Sequence, residues 1–267
     1  MKKIFLTGAS SGIGLATAKL LAAQGDEVWG TSRRTERLPA LPGFHSVQLD
    51  VTDPASIEEA WTAALGQAGA FDVVINNAGA GHFNPAELVA PEIIRQQFEL
   101  LVFGQIHVCQ LALKSMQSHR RGLIINLTSL TSRLPVPFTA AYNAAKAAMA
   151  SFTMTMQLEL GASPIRIVDL QPADICTDFN DAVVRDTASD PRYQERMNRA
   201  WDVVNKNMRN APKPDLVARR IARLIHETNP PPRVTVGDTF QSIIAPMIFS
   251  ILPPRVRVWG LRRYYGI

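Results

Sequence analysis

Tyr142 and Lys146 stand four residues apart in a run, 141–149, whose apolar spacing is helical, so both side chains project from one helix face. An ammonium beside a phenol favours the phenolate and is expected to draw the tyrosine pKa toward neutrality, letting the phenol exchange a proton with an alcohol or a carbonyl. Thirteen residues earlier, Ser129 closes a β-rich run, where its hydroxyl could orient the same oxygen. Taken singly, the Tyr/Lys pair reads equally as surface decoration and the serine as a strand-end turn residue. Together they describe proton transfer at a carbon–oxygen bond.

A second group of residues could hold an anion. The first β-rich run leads directly into Thr7-Gly8-Ala9-Ser10-Ser11-Gly12-Ile13-Gly14 and then into a helical pattern. Gly8, Gly12 and Gly14 let the backbone turn tightly. The N–H groups around Ser10, Ser11 and Ile13, at the positive end of a helix, suit a pyrophosphate, and strand, loop and helix in this order read as a dinucleotide site. The second β-rich run ends Gly30-Thr31-Ser32-Arg33-Arg34 with no carboxylate, where an NAD site would use one to hold the ribose 2′-hydroxyl. A guanidinium can instead hydrogen-bond a 2′-phosphate. NADP(H) is therefore expected over NAD(H), with Arg33 as the main contact and Ser32 and Arg34 in support. The alternative is a solvated arginine pair at a strand end.

These groups need a frame. Short Val/Ile-rich runs at 3–6, 27–31, 45–49, 73–76, 123–128, 165–170 and 233–236 alternate with helical patterns at 13–24, 54–65, 91–118, 140–160 and 215–227. Such alternation predicts βαβ units and a doubly wound parallel α/β sheet of about seven strands with helices on both faces. Pro54 and Pro91 stand where a helix-opening proline belongs. The 267 residues read as one domain, with a mobile helical insertion at 179–212 and an apolar, basic extension at 239–267.

Composition narrows the classes. The start shows no secretion signal, and Cys109 and Cys176 form neither a CxxC pair nor a Cys/His cluster, so no metal site or disulfide framework is expected and a cytoplasmic setting fits. The net charge of +5 divides unevenly: residues 1–184 carry 13 Lys/Arg against 16 Asp/Glu, and residues 185–267 carry 15 against 7. The basic residues form no nucleic-acid motif, and no nucleic-acid partner is expected.

The sequence resembles the short-chain dehydrogenase/reductase family. The resemblance rests on TGASSGIG at 7–14, DVTD at 50–53, NNAG at 76–79, NLTS at 126–129, YNAAK at 142–146 and QPADICT at 171–177, in the family's order, and it covers about the first 180 residues. It lies closest to the hydroxysteroid and retinol dehydrogenase-like members. It implies a Rossmann-like fold and catalytic roles for Ser129, Tyr142 and Lys146. It also implies that Asp50 and Val51 lie near the adenine, that Asn77, Ala78 and Gly79 line the adenosine ribose, and that Lys146 binds the nicotinamide ribose. Pro172, Ile175 and Thr177 would hold the carboxamide end. Two positions depart from the pattern. Leu101 stands where the family carries an active-site asparagine, so the proton relay depends on the helix keeping a local kink there, and Pro172-Ala173 replaces the usual proline-glycine.

The expected reaction is NADP(H)-dependent interconversion of a carbonyl and a secondary alcohol on a lipophilic small molecule, with 134–138, the loop after Gly81 and the insertion from Phe179 around the substrate. The alternative is a non-catalytic NADP(H)-binding sensor or scaffold, motivated by Leu101. At the C-terminus an apolar run, 240–252, precedes Arg255, Arg257, Arg262 and Arg263 with no acidic residue. It reads either as an interfacial helix making peripheral contact with an anionic membrane or as a lid or subunit-contact segment. The family implies a homodimer or homotetramer.

Overall fold

The computed structural model describes residues 1–177, 183–185 and 190–267. Strand β1 (Lys3–Leu6) leads to helix α1 (Gly12–Ala23), β2 (Glu27–Ser32), β3 (Phe44–Gln48), α2 (Pro54–Ala68), β4 (Val73–Asn76) and the short β5 (His82–Phe83). Next come α3 (Pro91–Phe98) and α4 (Gly104–His119), joined by a wide π-type turn, Glu99–Phe103. The chain continues through β6 (Gly122–Leu127), α5 (Ala140–Leu160), β7 (Ile165–Pro172), β8 (Val184–Arg185), α6 (Pro191–Asn210), α7 (Asp215–His226) and β9 (Arg233–Val236). It ends in a second wide turn (Phe240–Ile244), α8 (Ala245–Ile251) and α9 (Pro254–Tyr265).

Seven strands pair in parallel in the order β3-β2-β1-β4-β6-β7-β9, a doubly wound, Rossmann-like sheet. Because strand side chains alternate faces, β1 feeds two cores at once. Ile4 and Leu6 pack with Leu21 of α1 and Val217 and Ile221 of α7 on one face, while Phe5 packs with Trp61 of α2 and Val108 and Ala112 of α4 on the other. Central strand β4 is buried along its whole length, which explains its apolar Val73–Ile75 run, closed by the buried amide of Asn76. Asp53 caps α2 by accepting the Ala55 N–H at 3.0 Å, and Pro54 fills the first helical position.

Differences from the sequence reading have local causes. Strand β7 runs to Pro172 because its pairing with β9 continues to Pro172 opposite Val236. The helix expected at 91–118 is interrupted by the wide turn at Glu99–Phe103. Of the insertion at 179–212, α6 and β8 are described, and β8 pairs with β5 in a small two-stranded sheet. Residues 178–182 and 186–189, Phe179 among them, lie outside the described residues.

Strand order reverses between β1 and β4, so the loops leaving their C-terminal ends diverge and open a crevice. Polar residues brace the strand tips there: the buried Asn76 donates to Asn126 Oδ1 at 2.9 Å, and Asn126 donates to Thr153 Oγ1 at 3.0 Å. Lower in the same region, the buried Asp169 accepts from Gln171 Nε2 at 2.7 Å, Arg233 Nε at 2.8 Å and the Thr128 hydroxyl, tying β6, β7 and β9 together.

Candidate active site

A cleft of about 1000 Å³ occupies this crevice and runs from the glycine loop to the C-terminal helices. Gly8, Ser10, Ser11, Gly12 and Ile13 line one end, with Ser32, Arg33, Arg34, Asp50 and Val51 beside them. Asn77, Ala78 and Gly79 line the middle, followed by Ser129, Tyr142, Lys146, Pro172, Ile175 and Thr177. Of the predicted nucleotide residues, Gly14 alone is not in the wall. Its role is beneath it: a Cβ there would lie 2.0 Å from the Gly8 carbonyl oxygen, so only glycine lets α1 pack this close under the loop.

The loop is held from below by β4. Thr7 Oγ1 accepts the backbone N–H groups of Asn77 and Ala78 at 2.9 and 3.0 Å, and the Asn77 amide donates to the carbonyls of Thr7 and Gly8, both at 2.9 Å. Asn77 is thus a brace for the loop as well as a wall residue. Among the described residues, no side chain of Ser11 caps the start of α1, which leaves the first-turn N–H groups facing the cleft for an anion. The loop therefore fits the pyrophosphate of a dinucleotide.

Farther along, the three chemical residues meet. Tyr142 and Lys146 rise from α5, with Lys146 Nζ 5.9 Å from the Tyr142 ring centroid. The Ser129 side chain, from the end of β6, hydrogen-bonds the phenol and also accepts the Thr131 N–H at 3.1 Å. Lys146 Nζ donates to the Leu127 carbonyl at 2.7 Å.

The electrostatics correct one expectation. Burial pushes the Tyr142 phenol up to about 12, with the Ser129 bond opposing it only in part, so desolvation outweighs any help the ammonium gives to the phenolate. The phenol in this state is a kept proton donor. Lys146 moves the other way: burial pulls it down to about 8, against the pull of Asp169. An unfolded lysine holds its proton to about 10.5, so between pH 8 and 10.5 the unfolded chain binds the extra proton and stability rises with pH. The urea midpoint of the native protein, measured relative to Lys146→Met, should therefore climb across that window. A pH-independent difference would show that Lys146 titrates alike in both states.

Leu101 lies in the π-type turn, fully buried. A methyl group on Gly79 would come 3.1 Å from Leu101 Cδ2 and 3.9 Å from Lys146 Nζ, so the leucine fills the space over the Gly79 backbone beside the lysine. The helix is nonetheless distorted at this position, the condition set by the sequence reading for a backbone relay. Ala173 is accommodated by its neighbour: a Cβ on Gly237 would lie 2.5 Å from the Ala173 methyl, so Gly237 provides the room.

The remaining walls are mostly apolar. Phe83, Leu134 and Val136 come from the loops expected to surround the substrate, Trp201, Val204 and Met208 from α6, and Phe240 and Leu261 from the C-terminal segment. Three features escaped the sequence reading. Arg37 joins Arg33 and Arg34 at the nucleotide end, brought there by a short turn, Thr35–Arg37. Gln241 clamps the loop after β7, accepting the Asp174 N–H at 3.2 Å and donating to its carboxylate at 2.7 Å. Asp174 lines the cleft, and burial raises its pKa, opposed by its bonds with Gln241 and Asn207. No motif marks Gln241, because its partner is distant in the chain: 67 residues separate it from Asp174, which lies inside the QPADICT run.

A glycine-loop crevice at the strand-order reversal, with a phenol, an amine and a hydroxyl on its far side, defines a nicotinamide-dependent oxidoreductase class. Comparison with known proteins narrows it. The profile of the family described as short chain dehydrogenase matches residues 2–188, and the chain belongs to the short-chain dehydrogenase/reductase family. It is 32% identical over 266 residues to a 3-ketodihydrosphingosine reductase of Bacteroides thetaiotaomicron, covering 99% of this chain and 98% of that one. A short-chain dehydrogenase from Streptomyces avermitilis superposes with a TM-score of 0.84 at 27% identity, covering 98% of this chain and 96% of that one. A family member from Burkholderia phymatum, solved in complex with NAD, superposes at 0.81 with 22% identity, covering 97% and 95%, and shows the fold alone.

Proposed function

We propose that this protein is an NADP(H)-dependent reductase of a long-chain ketone, with Ser129, Tyr142 and Lys146 as its catalytic residues. The observation that carries the reading is the hydrogen-bonded Ser129–Tyr142 pair above Lys146, facing a cleft that also holds the glycine loop. When bound, the nicotinamide dinucleotide supplies the hydride. Ser129 and Tyr142 position the carbonyl oxygen, and Tyr142 gives its hydroxyl proton to the alkoxide that develops there. Lys146, whose lowered pKa lies near working pH, stabilises the phenolate left behind and returns a proton to it.

The nucleotide preference rests on Arg33, Arg34 and Arg37 around Ser32, a donor set that suits a 2′-phosphate and lacks the acidic residue an NAD site would place there. The apolar walls support a lipophilic substrate. The relative from Bacteroides thetaiotaomicron, matched over almost the whole of both chains, points to 3-ketodihydrosphingosine or a close analogue, a long-chain ketone with an amino alcohol head.

NADPH consumption followed with 3-ketodihydrosphingosine in mixed micelles and with short water-soluble ketones tests this. The long-chain ketone should exceed the short ones in kcat/KM by at least about 100-fold, several buried methylenes at roughly 0.8 kcal/mol each being ample for that. Nucleotide binding without consumption on any carbonyl would favour the sensor or scaffold reading that Leu101 motivates.

A further inference from the structure

We propose that the C-terminal helices form a docking surface for an anionic lipid bilayer, placed so that a lipophilic substrate passes from the bilayer into the cleft. The passage of substrate rests on the lipophilic-ketone reading; the docking does not.

The first observation is an inverted helix face. Phe240, Ile243, Ile244, Met247, Ile248 and Ile251 are all exposed, Ile251 by 81%. Their steps of three, one, three, one and three residues place them along one side of the helical run 240–251. On the opposite side Pro246 is buried, and Gln241 and Ala245 line the cleft. A surface helix ordinarily turns its apolar stripe inward, but here the stripe faces solvent.

Charge identifies the occupant. Helix α9 adds exposed Val258 and Trp259, the latter by 67%, next to exposed Arg255, Arg262 and Arg263. Residues 239–267 contain four arginines and no Asp or Glu. Apolar side chains flanked by arginine and an interfacial tryptophan match an anionic headgroup layer. A second copy of this face suits less well, because a two-fold contact would set arginines against arginines with no acid in the segment to pair them. Among the described residues no helix is long and apolar enough to cross a membrane, so the segment would lie along the surface.

Position supplies the functional link. Phe240 and Tyr264 line the cleft while remaining more than half exposed, which puts them on its rim, and Phe240 is itself part of the apolar face. A bilayer seated on that face would meet the cleft at this rim.

The test uses the full-length chain with phosphatidylcholine vesicles, with and without phosphatidylglycerol, at low and high salt. Co-sedimentation should require phosphatidylglycerol and weaken with salt. It should fall by at least about tenfold in Ile243→Glu/Met247→Glu and in Arg255→Gln/Arg262→Gln/Arg263→Gln. Turnover of a short water-soluble ketone should be unchanged in both variants, which also shows that they fold. Absence of binding to the anionic vesicles, or equal binding by the variants, overturns the proposal. So does a dimer, seen by sedimentation equilibrium, that the Ile243/Met247 variant dissociates. Loss of vesicle binding alone leaves the ketone-reductase reading intact, and inactivity toward every ketone with intact vesicle binding leaves the docking surface intact.

Discussion

Tyr142→Phe is expected to lower ketone reduction by about 10²- to 10⁴-fold, the usual range for a general acid, while NADPH affinity stays within about twofold of the native value. The ring is partly buried against Leu101, Val102 and Ala145, and the phenol is held by Ser129, so the ring will keep its place after loss of the oxygen. What disappears is the proton donor. Burial keeps that donor protonated to about pH 12, so reduction by the native enzyme should not decline through deprotonation of Tyr142 at any pH below about 11. Steady-state reduction with NADPH titrated by fluorescence separates the two quantities. A phenylalanine variant with near-native turnover would remove Tyr142 from the chemistry, and a variant that loses nucleotide binding would make it a structural residue.

Arg33→Ala should raise the KM for NADPH by about 10- to 100-fold while leaving kcat nearly unchanged, the loss expected for charge-assisted hydrogen bonds made equally in ground and transition states. The KM for NADH should stay nearly constant, since the two nucleotides differ only at the 2′-phosphate. Arg34 and Arg37 line the same end of the cleft and would retain part of the preference, so Arg33→Ala/Arg37→Ala should lose more of it than the single change. Equal losses for both nucleotides would place Arg33 on a part they share and would end the argument for NADP(H).

Much of this was readable in the residues. Strands β1 and β4 announce themselves as short apolar runs because both faces are covered, and the glycine loop follows β1 with no intervening residue to blur it. Ser129, Tyr142 and Lys146 could be found because their spacing along one strand end and one helix is local. Tyr142's ionisation could not: proximity of an amine is visible in sequence, but the burial that dominates comes from elements far away in the chain. Likewise the turn at Glu99–Phe103 leaves the apolar pattern of the helix nearly intact, and the Asp174–Gln241 clamp joins residues 67 apart. The C-terminal segment shows a different limit. Its apolar, basic composition was legible, but whether the apolar side turned in or out depended on tertiary packing.

The Asn77 brace carries a consequence for how this family member responds to change. With its amide hydrogens committed to the Thr7 and Gly8 carbonyls, the cradle for the dinucleotide is set when the sheet assembles, and the ligand meets a mould rather than shaping one. Affinity thereby comes to depend on a residue behind the wall: a lesion in Thr7, whose hydroxyl accepts from the Asn77 and Ala78 backbone, would slacken the mould and weaken the grip on a molecule from which its own hydrogen bonds are turned away.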